Sequence, residues 1–188
     1  MTASSPRIVA FVGMSGVGKS EAVAMFERLG TFHRIYFGGL VLEEVKARGL
    51  EVNEENEGKV ALAVRAEHGM GALAVLSTPK VDATLEANTD VLIDGLYSLS
   101  EMDHLRARYG DKLTMIAIHA RKSLRIARLG ARPVRPLTPQ EVEDRDRREV
   151  TKMEKAGPIA LADYHIVNDE GLAELERAVK GVYAAVFG

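Results

Sequence analysis

The sequence contains no cysteine. That excludes disulfides, thiol catalysis and thiolate metal sites, and it fits a reducing compartment, so a cytoplasmic protein is expected. A surplus of either charge is also missing: 25 Lys and Arg against 27 Asp and Glu leave a formal net charge of -2. There is then no global cationic field of the kind that marks a nucleic-acid or membrane-surface binder, and any anion site must be local. No run approaches the roughly 18 uninterrupted apolar residues that span a bilayer. Met1 to Pro6 are small and polar, with no basic start leading into a long hydrophobic region, so no signal peptide is expected. The histidines, His33, His68, His104, His119 and His165, show no metal-ligand spacing and read as ordinary surface or core residues. Spacing supports no Ser-His-Asp or paired-carboxylate hydrolase arrangement.

With 188 residues, 46% hydrophobic and 28% charged, the chain buries one substantial core, and residues 1–188 are read as a single domain. Arg7 to Val12 form a β-branched apolar run, and Ala22, Val23, Phe26 and Leu29 follow at helical spacing before Gly30. A second strand is expected near His33 to Phe37. Helices follow over about Leu40 to Arg48, Glu54 to His68 and Ala72 to Asn88, the last open to a break at Pro79. Further strands are expected at Asp90 to Asp94, Leu113 to His119 and Tyr164 to Val167. Helices are expected near Leu99 to Tyr109, Lys122 to Leu129, Pro139 to Lys155 and Gly171 to Phe187. This alternation predicts an α/β fold, a parallel sheet with helices on both faces.

The run from Gly13 to Ser20, Gly-Met-Ser-Gly-Val-Gly-Lys-Ser, matches G-x-x-x-x-G-K-[ST] between an apolar strand and a helix. Glycines at Gly13, Gly16 and Gly18 let successive amides of the loop, Ser15 and Val17 included, point inward at a polyphosphate. The helix beginning near Lys19 adds its partial positive end. Lys19 is expected to reach the β and γ phosphates, and the Ser20 hydroxyl to coordinate magnesium.

Asp94 ends an apolar strand that would lie beside the first, which brings its carboxylate near that magnesium or its waters; Asp before Gly95 is also a common turn pairing, and the two readings are compatible. Between Arg121 and Pro136 stand Arg121, Lys122, Arg125, Arg128, Arg132 and Arg135 with no acidic residue. The first, third, fourth and fifth recur at four, three and four residues, one helical face. Arg125, Arg128, Arg132 and Arg135 are candidates for closing over phosphates; a solvated helix face is the alternative. Nucleic-acid binding is disfavoured because no aromatic platform accompanies these cations. The stretch from Glu141 to Glu149 mixes signs and is expected to pair with itself as an exposed helix.

Together the phosphate loop, Ile93-Asp94-Gly95, the Arg-rich segment and Ala162 to Asn168 resemble the adenylate-kinase-related P-loop proteins of archaea and bacteria, often labelled dephospho-CoA kinase-like. The resemblance covers nearly the whole chain. It implies a three-layer P-loop NTPase fold of nucleoside-kinase type, with a five-stranded parallel sheet in the order 2-3-1-4-5. It also implies an acceptor-side helical insert over about residues 39–88 and a lid over about 125–148. ATP and Mg2+ follow from it, with GTP an open alternative, and Asn168 or its neighbours near the base. Related kinases carry Gly-Asp after the second strand and then an arginine, and often an arginine after the Asp-Gly of the third. Here Gly38-Gly39, Leu42 and Tyr97 stand at those places. Glu43 and Glu44 are then the nearest carboxylates for the acceptor hydroxyl, with Glu43 the candidate, and Gly39, Arg65, Tyr97 and Arg135 are the candidate acceptor contacts; for Glu43 and Arg65 a solvated helix position is the alternative. The expected function is a kinase for a small-molecule acceptor; a nucleotide-dependent switch or NTPase without one is the alternative. A nucleic-acid-modifying kinase is a third possibility.

Overall fold

The computed structural model describes residues 5–133 and 136–188. Five strands, β1 (Ile8–Val12), β2 (Phe32–Tyr36), β3 (Asp90–Asp94), β4 (Leu113–His119) and β5 (Tyr164–Val167), form one sheet in the order β2-β3-β1-β4-β5. Every pairing is parallel. In β1 all five residues are buried, because a central parallel strand has helices over both faces. Its period of two divides the core. Ile8, Ala10 and Val12 point to the side packed by α2 (Phe37–Ala47), α3 (Glu54–His68), α4 (Ala72–Glu86) and α5 (Leu99–Tyr109). Val9 and Phe11 point to α1 (Lys19–Glu27) and α9 (Leu172–Phe187). On that second side Phe26 packs edge-on to Phe11 at 5.4 Å and to Tyr183 at 5.3 Å, a geometry aromatic rings favour. The remaining helices, α6 (Lys122–Gly130), α7 (Pro139–Thr151) and α8 (Ala156–Ala160), join β4 to β5.

Three departures from the sequence reading have local causes. Pro79 lies inside α4 without ending it. The helix buries Leu73, Ala74, Ser77 and Val81, and the hydroxyls of Ser77 and Thr78 both donate to the Ala74 carbonyl, so packing outweighs the lost backbone donor. The helix expected over Pro139 to Lys155 stops at Thr151, since Glu154 takes a left-handed φ of 54° before α8 begins. Helix α2 starts at Phe37, straight from β2, and buries Phe37 completely.

The turn after β3 is fixed from within. Ser98 caps α5 through the amide of Glu101, and the Glu101 carboxyl reaches back to the amides of Tyr97 at 2.7 Å and Ser98 at 3.2 Å. Glu101 is fully buried. Burial pushes its carboxyl up to about 7, against the opposing pull of those amides, Arg65 and Lys155. An unfolded glutamate loses its proton near 4.5, so between about 4.5 and 7 the folded chain holds a proton the unfolded chain has released, and stability declines as pH rises through that window. Glu101→Gln is expected to match the parent at the acid end and to exceed it by about 1–3 kcal/mol near pH 8, read from urea unfolding at both pH values.

Candidate functional site

The carboxyl ends of β1 and β3 meet where ligands bind in open parallel sheets. Strand β1 delivers the loop 13–18, and α1 starts at Lys19 with Gly18 as its N-cap in left-handed backbone, φ 88°. A side chain at Gly18 would also run into Asn168, and one at Gly13 into the Ile118 carbonyl. Above the loop opens a cavity of about 280 Å³ lined by Gly13, Ser15, Gly16, Gly18, Lys19 and Ser20. Its far walls carry Arg128, Arg132, Arg145, Lys155 and Tyr97. The helix start and these cations give the cavity a chemistry that suits an anion, while the Val17 amide donates to the Met14 carbonyl at 3.4 Å.

Behind Lys19, Asp94 is 2% exposed. One carboxylate oxygen pairs with Lys19 Nζ, the other accepts from Arg34 Nη2 at 2.6 Å. Burial alone would raise the Asp94 pKa, but Lys19 and Arg34 outweigh it and hold the carboxyl below the usual carboxylate range. Ser20 and ionised Asp94 are hard oxygen donors and fit magnesium, which keeps most of its shell as water and phosphate oxygens. Among the described residues no cluster of three or more His, Cys, Asp or Glu is placed to hold a metal by itself.

The Arg-rich segment does not act as one face. Arg121 precedes α6 as its N-cap, and its amide donates to Asp169. Arg125 is 6% exposed; its guanidinium pairs with both oxygens of Asp146 and donates to the Ser15 carbonyl at 2.9 Å. Arg125 is thus a strut between the phosphate loop and α7, with its donors turned to protein. Arg128 and Arg132 do line the cavity, and Arg128 also donates to the carbonyls of Asn168 at 3.0 Å and Val17 at 3.4 Å. Arg135 lies outside the described residues. Val17 turns its side chain into the core, and its carbonyl accepts from the buried Asn168 amide at 2.8 Å. Asn168 therefore ties β5 to the loop.

Helix α7 is not the exposed, self-paired helix the sequence suggested. Arg147 with Glu143 and Arg145 with Glu149 do pair along it, but Asp146 and Glu149 turn inward. Glu149 is 4% exposed and accepts from Ser15 Oγ at 2.8 Å, Arg145 Nε at 3.1 Å and Lys155 Nζ at 3.0 Å. Burial would raise its pKa; Lys155, Ser15 and Arg145 together pull it below the usual range.

Tyr97 has a second face. With Tyr36, Leu42, Ala61, Arg65, Leu73 and Met153 it lines a recess of about 310 Å³, bordered also by Gly38 and Glu57. Arg65 and Tyr97, singled out from the sequence, meet here. Gly39 and Glu43 do not: they line a separate recess with Arg34 and Lys80, where Glu43 pairs with Lys80. Sequence reasoning missed Arg34, Arg145, Glu149, Lys155 and Glu57. Arg34 had one signal: with β2 beside β3, it stands opposite Leu92, on the face that Asp94 shares.

The sheet order and the strand-loop-helix around Lys19 define a P-loop kinase-like fold, and solved structures agree. A gluconokinase from Sinorhizobium meliloti superposes with a TM-score of 0.57 at 15% identity, over 97% of this chain and 94% of its own. A shikimate kinase from Bacteroides thetaiotaomicron gives 0.55 at 14% identity, over 96% and 98%. The chain belongs to the UPF0200 family. It is 39% identical over 176 residues to a UPF0200 protein of Thermococcus gammatolerans, covering 92% of each chain, and 35% identical over 181 residues to one of Halobacterium salinarum, covering 95% and 93%. No protein-family model matches the chain. Among the described residues no single helix is long and apolar enough to cross a membrane.

Removing one partner of a buried ion pair leaves the other charge unpaired, so Arg125→Ala is expected to cost about 3–5 kcal/mol. Urea unfolding of that variant checks it, and Arg125→Ala with Asp146→Ala together should cost less than the sum of the two singly.

Proposed function

We propose that the chain is a cytoplasmic phosphotransferase that moves the terminal phosphate of a magnesium nucleotide, ATP or GTP, to a small-molecule acceptor, in the manner of nucleotide or dephospho-CoA kinases. The observation that carries this reading is Tyr97, which is a wall of both the cationic cavity over the phosphate loop and the recess that holds Arg65 and Glu57. A donor compartment and an acceptor compartment sharing one wall suit an in-line transfer. A nucleotide-dependent switch needs only the first. The kinase-like fold, shared with a gluconokinase and a shikimate kinase, supports the same reading without naming the acceptor.

In this reading the loop amides and Lys19 would hold the polyphosphate, and Ser20 with Asp94 would hold the metal, which would supply charge neutralisation at the phosphates. Lys19 pairs with Asp94, and in this reading its ammonium turns to phosphate oxygens when nucleotide enters. Arg128 and Arg132 stabilise the charge that develops on the phosphoryl oxygens. The acceptor oxygen bonds to the terminal phosphorus as the bond to the bridging oxygen breaks, and that electron pair leaves on the nucleoside diphosphate. The acceptor proton passes to a carboxylate; Glu57 borders the recess and takes the role first given to Glu43.

The test is nucleotide consumption with magnesium ATP or GTP against dephospho-CoA, nucleoside monophosphates and their deoxy forms. One acceptor is expected to stimulate turnover, and Lys19→Ala to abolish it. Arg132→Ala is expected to lower kcat by about tenfold or more, within the about three to five powers of ten that a transfer-stabilising arginine can supply. Nucleotide bound but consumed at one slow rate with every acceptor would replace this reading with the switch.

A further inference from the structure

Lys155 was not among the residues the sequence singled out, and the transfer just described does not use it. Its side chain is 5% exposed, yet it lines the cavity over the phosphate loop. Two contacts fix it. Glu149 Oε2 accepts from its ammonium at 3.0 Å, and the ammonium stands 5.1 Å from the centre of the Tyr97 ring, within cation–π range. Glu149 is itself tied to the loop through Ser15 Oγ, so the Lys155 charge is held in register with the phosphate cradle. Tyr97 is the wall shared with the acceptor recess. Lys155 therefore stands at the junction of the two compartments, while Lys19 rises from the loop.

An ammonium carries three N–H donors. Glu149 accepts one, and a ring face accepts through its π-electrons without filling the others. Burial pushes the Lys155 pKa down, Glu149 pulls it up, and the charges of Arg145 and Lys19 push it down again. Glu149 is shared among Ser15, Arg145 and Lys155, so this part of the wall holds two cations against one carboxylate. A polyphosphate would supply the missing negative charge.

We propose that Lys155 is a second phosphate-binding ammonium, aimed at the terminal phosphate of the nucleotide at the boundary with the acceptor recess and held there by Glu149 and the face of Tyr97. The proposal rests on the nucleotide-binding reading above. Lys155 acts by direct contact; Glu149 is its positioning residue and, in the absence of ligand, its competing anion.

That double role gives the test. Magnesium-free ATP and tripolyphosphate are titrated calorimetrically into the full chain and into Lys155→Met, Glu149→Gln and Lys19→Ala, with thermal unfolding of each recorded alongside. Losing one charge-assisted contact should weaken tripolyphosphate binding in Lys155→Met by about ten- to a hundredfold. Glu149→Gln removes the competing charge and keeps an amide able to bond Ser15, so it should bind tripolyphosphate as tightly as the parent or more so. If Lys155→Met binds like the parent while Lys19→Ala loses binding, Lys155 does not touch phosphate and the proposal falls alone. If Lys155→Met and Glu149→Gln weaken binding equally, Lys155 serves only to pair with Glu149, and the proposal falls again. A parent chain that binds neither probe brings down the nucleotide reading and this inference with it. Should Lys155→Met fail to fold, Lys155→Gln takes its place, and tripolyphosphate binding equal to the parent overturns the proposal.

Discussion

A buried carboxylate stays ionised only among partners, and Asp94 is where the site obeys that constraint. At the end of β3, beside β1, it is enclosed by the sheet and holds Lys19 with one oxygen and Arg34 with the other. The lysine of the phosphate loop, the third strand and the edge strand β2 are thereby tied at one point. Asp94 is the counter-charge that makes a lysine tolerable in the wall of a cavity. In the proposed function a polyphosphate would compete for that lysine, and ligand binding and the internal pairing would then be one equilibrium.

A second set of charges clamps the loop from the other side. Arg125 with Asp146, and Glu149 with Ser15, Arg145 and Lys155, fasten α6, α7 and the start of α8 to the residues that would face phosphate. Pairs of this kind contribute little net stability, because desolvation offsets most of the attraction. Their effect is geometric: only one docking of α7 satisfies all of them. Asn168 adds a third tie by bonding the Val17 carbonyl from the end of β5. The loop is thus held by Glu149, Arg125, Arg128 and Asn168, all drawn from segments more than a hundred residues away in sequence.

Behind the charges, the sheet separates two apolar cores by the alternation of β1. The aromatic side, Phe11, Phe26 and Tyr183, packs the last turn of α1 against β1 and α9. The side packed by α2, α3 and α4 is less aromatic and opens into the recess beneath Tyr97. The buried cap at Glu101 fixes the Tyr97 amide from below, so the wall between the compartments has a defined backbone.

The phosphate loop was legible in the sequence because its chemistry is local: glycine backbone freedom, a lysine and a hydroxyl within eight consecutive residues, flanked by a strand and a helix. Strand positions and most helices were legible for the same reason, since period and capping act over a few residues. Strand order was reached through family resemblance, because pairing between strands is decided by contacts far apart in the chain. The charges were the least legible. Arg125 and Arg128 stand three residues apart on one helix with the same side chain, yet one is a buried strut and the other faces the cavity. Glu149 and Lys155 look like solvated residues of a polar helix until α7 docks on the loop. The sequence alone determined which groups are present and which lie within a turn of one another. Tertiary packing decided which charges turned to protein partners and which faced the cavity, because charges far apart in sequence meet only once the helices dock on the sheet.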